Sequence, residues 1–313
     1  MIGSTIPRGV HAATVCPMRP NFDIDEDALA AHVTDVTSRG IHALLINGHA
    51  GENAFLTRAE TRRVIEIVRA ATGPGVYLTS GVNREASLQA AELAADAEAA
   101  GADAILVFPP NGWGLFRDEG AAELHHRHVL DACNLPLVLY QAPVSAGQMP
   151  YPPALLARLC AEPRVIGVKE GSWEVAAFEA SRRAVHAVRP DIAVMGSGDE
   201  HLLTSWLIGS EASQVSLAAI APEAVIALWN ACAANDWPLA RRHHDALYPL
   251  AAAIYRAPPS GRATTRLKAL LHMMGRIPCA AVRPPLIPLD GPELQRLHAA
   301  LNHLAGAMSH NPV

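Results

Sequence analysis

The sequence predicts a parallel (β/α)8 barrel followed by a helical extension, on three observations. A short apolar run recurs about every 30 residues along the 313-residue chain. Each run leads through a polar loop into a longer helical pattern closed by Gly or Pro, and beyond about residue 222 the runs stop while helical patterns continue. The runs lie near 10–16, 42–47, 76–81, 103–108, 136–140, 164–169, 192–196 and 213–217. They are nearly continuous, as strands buried on both faces are. Between them "DEDALAAHVTDVTSRG" reads as a helix closed by Gly40, and in "TRAETRRVIEIVRAATG" Thr57 and Glu60 have capping-box spacing. The later helical patterns, 222–234, 237–257, 263–275 and 291–306, supply an eighth barrel helix and the extension. A doubly wound open sheet is the alternative fold for the same alternation. No linker rich in Gly or Ser interrupts the chain, which divides into a barrel at 1–234 and a helical extension packed on it at 235–313.

Composition narrows the function. Half of the residues are hydrophobic and 18% are charged, which is globular. The net charge is −5 and the 25 Arg and Lys are scattered, so nucleic acid is not an expected partner. The most apolar segment, "VSLAAIAPEAVIALWNACAA", is interrupted by Pro222, Glu223 and Asn230, so no membrane span is expected. "MIGSTIPRGVHAATVCPMRP" lacks a signal-peptide core. Five cysteines, at 16, 133, 160, 232 and 279, are odd in number and form no CxxC pair, which points to reduced thiols and a cytoplasmic protein.

Only two of the 25 basic residues are lysine, Lys169 and Lys268. A chain that writes Arg wherever a surface charge will do keeps Lys where guanidinium cannot substitute. Lys169 follows the buried-strand pattern Val165-Ile166-Gly167-Val168, and desolvation at such a strand end lowers an amine's pKa. A Schiff-base nucleophile and a structural ion pair both fit that position.

In such a barrel the chemistry gathers at the C-terminal strand ends. The second run finishes in "INGHAGE", the fifth in "VLYQAP" with Tyr140, the sixth in Lys169 and the seventh in "MGSGDE". The Gly-rich loop reads either as a tight turn or as an anion cradle of backbone N–H groups. Tyr140 reads as a packed aromatic or, beside Lys169 on the next strand, as a proton shuttle for imine chemistry.

Gly48-x-x-Gly51-Glu52, Tyr140-x-x-Pro143, Lys169 and Ser197-Gly198-Asp199, in this order, resemble the dihydrodipicolinate synthase / N-acetylneuraminate lyase family. The similarity runs from about Gly9 to "VRPPLIPL" at 282–289. The resemblance implies a class I mechanism without metal or cofactor. Lys169 would attack the ketone of pyruvate or another 2-oxo acid, and the loop with Gly48, His49, Ala50 and Gly51 would hold its carboxylate. Tyr140 would move protons, and the Gly198 and Val215 carbonyls would line the site. A homotetramer, a dimer of dimers, is also implied.

The chain departs from the pattern at three places. His49 and Ala50 stand where the lysine-pathway synthase has hydroxyl residues, and the sialic-acid lyase also uses hydroxyls in this loop. Pro110 and Asn111 stand where the synthase has a tyrosine pair. Ser145 stands where it has an arginine for a second carboxylate. Trp113 and Trp173, with Phe116 nearby, read either as an apolar mouth suited to an aromatic or hydrophobic aldehyde or as rings capping the barrel. His49 reads as a relay partner for Tyr140 or as a solvated or structural residue. His125 and His128, one turn apart, have metal-pair spacing but no evident third ligand, and His243 and His244 read as a solvated helix face. Glu52 is expected to fix loop geometry and Lys268 to make a structural ion pair.

The expected activity is therefore an aldolase or hydratase-aldolase releasing pyruvate. The alternatives are a dehydratase of a 2-keto-3-deoxy sugar acid, the 4-hydroxy-tetrahydrodipicolinate synthase reaction, and a non-catalytic 2-oxo-acid binder on the same scaffold.

Overall fold

The computed structural model describes residues 5–310. Eight parallel strands close on themselves in sequence order, β1 Gly9–Ala13, β2 Ala43–Ile46, β3 Tyr77–Val82, β4 Ala104–Val107, β5 Leu137–Gln141, β6 Val165–Glu170, β7 Ala193–Gly196 and β8 Ala212–Val215. Closure is made by β8 on β1, with Val10 opposite Ser213 and His11 opposite Gln214. This is a (β/α)8, or TIM, barrel, and the open sheet is set aside. Each strand lies within two residues of its apolar run, except that β1 stops at Ala13, three residues short of the end of its run.

Alternation along the strands divides the core in two. Leu45, Leu106, Val138, Met195 and Ala212 fill the barrel interior. Leu44, Ile46, Ile105, Leu139 and Val194 face outward, against the surrounding helices. The predicted capping box is present. Thr57 Oγ1 accepts from the Glu60 N–H at 3.3 Å, Glu60 accepts from the Thr57 N–H at 2.8 Å, and the helix Arg58–Thr72 follows.

After β8 come the helices Leu217–Ile220 and Pro222–Ala233, then the extension helices Trp237–Tyr255, Ala263–Met273 and Gly291–His310. Among the described residues no helix is long and apolar enough to cross a membrane. All five cysteines are free thiols, and all but Cys279 are buried.

The extension reaches over the barrel mouth. Thr264 Oγ1 donates to the His49 carbonyl at 3.2 Å. Lys268, fully buried, pairs with the equally buried Glu52 carboxylate and donates to the Ala281 carbonyl at 2.8 Å. Glu52 also accepts from the Arg283 N–H at 2.8 Å. The expected roles of both residues are met by one pair, which staples the Gly-rich loop to the extension. One expectation fails: His243 is buried, 8% exposed, because its side of the helix Trp237–Tyr255 packs inward. Adjacent histidines on a helix point about 100° apart, so the pair cannot share one solvated face.

Candidate active site

At the C-terminal strand ends the barrel opens into a cavity of about 420 Å³, within the range of small-molecule sites. Lys169 stands in it. Register places it beside Tyr140 of β5 and Met195 of β7, so all three side chains point inward. Its Nζ lies 5.8 Å from the centre of the Tyr140 ring, and it makes no ion pair with any described residue. Burial lowers the amine to about 8, and the nearby Asp199 carboxylate offsets part of that effect.

Tyr140 is wedged between Phe108, at 4.6 Å between ring centres, and His49, at 5.4 Å edge to face. Burial raises its hydroxyl well above the usual tyrosine range, and Glu170 adds to the rise. The hydroxyl makes no hydrogen bond with any described residue. Gly171 leaves room for it: a Cβ there would lie 2.7 Å from the Gln141 carbonyl and 3.2 Å from the Tyr140 oxygen. His49 meets Tyr140 edge to face with its side chain open to the cavity; desolvation by the surrounding walls lowers its imidazole, and the Lys169 charge acts in the same direction.

The "INGHAGE" loop folds into two short 3-10 turns, His49–Gly51 and Asn53–Phe55, joined through Glu52 at φ 59°. The Gly51 and Glu52 N–H groups close the first turn on Gly48 and His49 at 3.0 Å. The His49 and Ala50 N–H groups are left at its head, where a turn's amides are free for an external acceptor. The tight-turn reading of this loop is met, and the turn itself does not use its first two amides.

Across the cavity stand Ser197 and Asp199 after β7, Gln214 of β8, and Ser216 just beyond it. The remaining wall comes from the extension, through Tyr255, Arg256, Ala263, Thr264 and Leu267. The Arg256 guanidinium lies 5.4 Å from the centre of the Trp173 ring and pairs with the Glu200 carboxylate. Trp173 is held at φ 62°, an uncommon conformation for a bulky residue, with its ring 5.2 Å from that of Tyr255.

Of the residues singled out in the sequence, Lys169, Tyr140, His49, Ala50, Ser145 and Trp173 border the cavity. Gly48 and Gly51 shape the loop beneath it. Gly198 borders a small adjoining void beside Trp173 and His201, and Val215 is buried between Gln214 and Ser216. Pro110 and Asn111 lie outside, where Glu85 accepts from the Asn111 and Gly112 N–H groups at 2.8 and 3.0 Å. Trp113 also lies outside. Its indole N–H donates to the Met149 carbonyl at 3.0 Å and its ring packs on Tyr151 at 5.1 Å, as a capping ring would. His125 is buried with its Nδ1 3.1 Å from Ser87 Oγ, while His128, one turn on, is half-buried. Among the described residues no group of three or more His, Cys, Asp or Glu is placed to hold a metal ion. Sequence reasoning missed Tyr255, Arg256, Thr264 and Leu267, which carry no motif and reach the site only through docking of the extension.

Barrel and site define an enzyme whose chemistry is built from the C-terminal ends of parallel strands. The chain belongs to the dihydrodipicolinate synthetase family, whose model matches residues 6–304, and it is a lyase of that family. It is 30% identical over 303 residues to a 4-hydroxy-tetrahydrodipicolinate synthase of Nitrobacter hamburgensis, covering 97% of this chain and 98% of that one. It is also 30% identical over 306 residues to an uncharacterised DapA-like lyase of Halobacterium salinarum, covering 96% of each. Among solved structures, YagE, an E. coli K12 prophage protein of the dihydrodipicolinic acid synthase family in complex with pyruvate, superposes with a TM-score of 0.88. That match has 24% identity and covers 95% of this chain and 98% of that one. At that identity the likeness bears on the fold.

Proposed function

We propose that this lyase works by class I chemistry, with Lys169 forming a Schiff base with pyruvate or another 2-oxo acid, and that it is an aldolase or hydratase-aldolase. The observation that carries the reading is an inward-facing lysine without an ion-pair partner, its amine lowered to about 8 by burial, in strand register with a buried tyrosine. An amine of that pKa is free in useful proportion near neutrality. Its attack on the ketone and loss of water give an iminium ion, which draws electrons from the neighbouring carbon so that a carbon–carbon bond breaks or forms through an enamine. Tyr140 serves the proton at that carbon. The His49 and Ala50 amides suit the 2-oxo acid's carboxylate.

The partner is read as an uncharged aldehyde. Ser145 borders the cavity where the family resemblance leads one to expect an arginine. The other cation on its lining, Arg256, is already balanced by Glu200, whose side chain is 1% exposed. Trp173 gives that end of the cavity an aromatic face. Assembly into a homotetramer belongs to the same reading, supported by Leu115 and Phe116 standing 82% and 77% exposed.

The test is borohydride reduction in the presence of a panel of 2-oxo acids, with peptide mapping of the adduct to Lys169. An adduct on Lys268, or none with any acid, overturns the reading. Product analysis follows: pyruvate plus an aldehyde marks the aldolase, loss of water alone the dehydratase, and an adduct without turnover the binder. Aspartate semialdehyde, which would bring a second carboxylate to a site without a free cation, is expected to condense about 30- to 1000-fold more slowly than the best uncharged aldehyde, by kcat/KM. Equal turnover returns the lysine-pathway reaction to first place.

A further inference from the structure

Tyr140 is the proton-moving residue that the reading above assigns to the pyruvate side, and its hydroxyl has no hydrogen-bond partner among the described residues. The opposite wall is built differently. Ser216, half-buried at the cavity surface, has its Oγ 2.6 Å from the Tyr255 hydroxyl. The Tyr255 hydroxyl in turn donates to Asp199 Oδ1 at 2.8 Å. Tyrosine has one proton to give, so Ser216 is the donor in the first bond. The chain of bonds has one direction, from the cavity through Ser216 and Tyr255 to a carboxylate that is only 5% exposed.

The three residues come from the loops after β8 and β7 and from the end of the helix Trp237–Tyr255, so no single local motif explains their meeting. Asp199 has no ion pair with any described residue. Its Oδ1 accepts from the Leu217 N–H at 2.6 Å, and burial raises it to about 7 despite that bond and the one from Tyr255. The charges facing it are Lys169 from β6, which lowers it, and the adjoining Glu200, which raises it and is itself paired with Arg256. A buried carboxylate left without a cation costs stability, and such costs persist at functional sites.

We propose that Ser216, Tyr255 and Asp199 form a proton relay for the aldehyde side of the reaction, a role that rests on the imine reading of Lys169. In cleavage, the hydroxyl of the pyruvate adduct gives its proton to Ser216 Oγ. The proton of Ser216 passes to Tyr255, and that of Tyr255 to the Asp199 carboxylate. The electron pair of the broken O–H bond forms the aldehyde C=O. The pair of the broken carbon–carbon bond becomes the enamine double bond, and the iminium nitrogen is neutralised. Condensation runs the same steps backward, with protonated Asp199 as the donor. Tyr140 keeps the proton exchange at the pyruvate methyl carbon, so the two tyrosines serve the two halves of one reaction.

The experiment compares full-length wild type, Tyr255→Phe, Ser216→Ala and Tyr140→Phe in three assays: borohydride trapping of pyruvate on Lys169, deuterium exchange into the pyruvate methyl group by NMR, and condensation of pyruvate with benzaldehyde and with glyceraldehyde. Tyr255→Phe keeps the ring against Trp173, so packing damage is small. Tyr255→Phe and Ser216→Ala are expected to form the Lys169 adduct, to exchange deuterium, and to lose roughly 100- to 1000-fold in kcat for condensation. They should also lose the limb of the wild-type pH–kcat profile in which condensation falls as pH rises through about 7. Tyr140→Phe is expected to lose exchange and condensation together. The relay is overturned if Tyr255→Phe condenses within threefold of wild type with the same pH profile, or if its loss in kcat is matched by loss of the Lys169 adduct. Wild type that forms the adduct but condenses with neither aldehyde overturns the relay and leaves the imine reading standing. Wild type that forms no adduct overturns both.

Discussion

The end of β6 and the centre of the helix Ala263–Met273 each hold one of the chain's two lysines, and they treat the ammonium in opposite ways. Lys268 is fully enclosed, paired with Glu52 and bonded to the Ala281 carbonyl. Lys169 borders a cavity, has no ion pair with any described residue and is lowered to about 8. Both sit in protein surroundings, and what separates them is the carboxylate that Lys268 has in contact and Lys169 has only at a distance.

The strongest way to break this comparison is Lys169→Arg. Guanidinium cannot form an imine, so the pyruvate adduct is expected to disappear and turnover to fall about 10⁴-fold or more, with the far-UV circular dichroism unchanged. An active Lys169→Arg variant would mean that the other lysine, or no lysine, carries the chemistry. Lys268→Met should give the opposite phenotype. It leaves Glu52 buried and unpaired, and is expected to cost about 3–5 kcal/mol in urea unfolding while the folded fraction still forms the Lys169 adduct. Pairing it with Glu52→Gln should recover part of that loss, because the buried charge is then gone.

How much of this could be read in advance depends on whether a residue belongs to the barrel. Most strands were legible because, buried on both faces, they write themselves as apolar runs, whereas β3 carries Thr79 and Ser80 and β8 carries Ser213 and Gln214. Lys169 and Tyr140 were legible because each closes such a run, and the barrel's geometry says where run ends meet. Tyr255 and Arg256 sit at the end of an ordinary amphipathic helix, and their place at the mouth follows from how that helix docks, which no spacing encodes. Trp113 shows the converse: its position allowed either the mouth or a capping ring, and the structure packs it on Tyr151 with its indole N–H on the Met149 carbonyl.

Acidity sharpens the comparison further. If the amine of Lys169 is lowered to about 8, the adduct-forming rate at low pyruvate should climb roughly tenfold per pH unit from 6 toward 8 and then flatten. The sign for stability follows from the same shift. The unfolded chain, with its lysine near the ordinary value, binds more protons between about 8 and 10.4, so the penalty for burying Lys169 shrinks as pH rises through that window. Lys169→Met should therefore be more stable than wild type at pH 7, with the gap closing toward pH 10 in denaturant titrations. The smallest expected effect is that of chelation. The imine supplies the electron sink, so condensation should be unchanged after exhaustive EDTA treatment, and activity that vanished and returned with zinc would move the chemistry away from Lys169.

The Glu52–Lys268 pair also makes the extension answerable to whatever occupies the loop. Glu52 follows the His49–Gly51 turn directly and is held at positive φ, while its carboxylate is fixed by Lys268 and by the Arg283 N–H. A ligand that quiets that turn therefore restrains the helix Ala263–Met273 as well, and by linkage anything that loosens the helix weakens the ligand. Hydrogen exchange in residues 263–273 should slow when pyruvate is added, although that helix supplies only rim contacts, and Lys268→Met should raise the pyruvate dissociation constant from a distance. On the proposed reading the tail would work as a splint, and the hold on a small acid would depend partly on a lysine that never meets it.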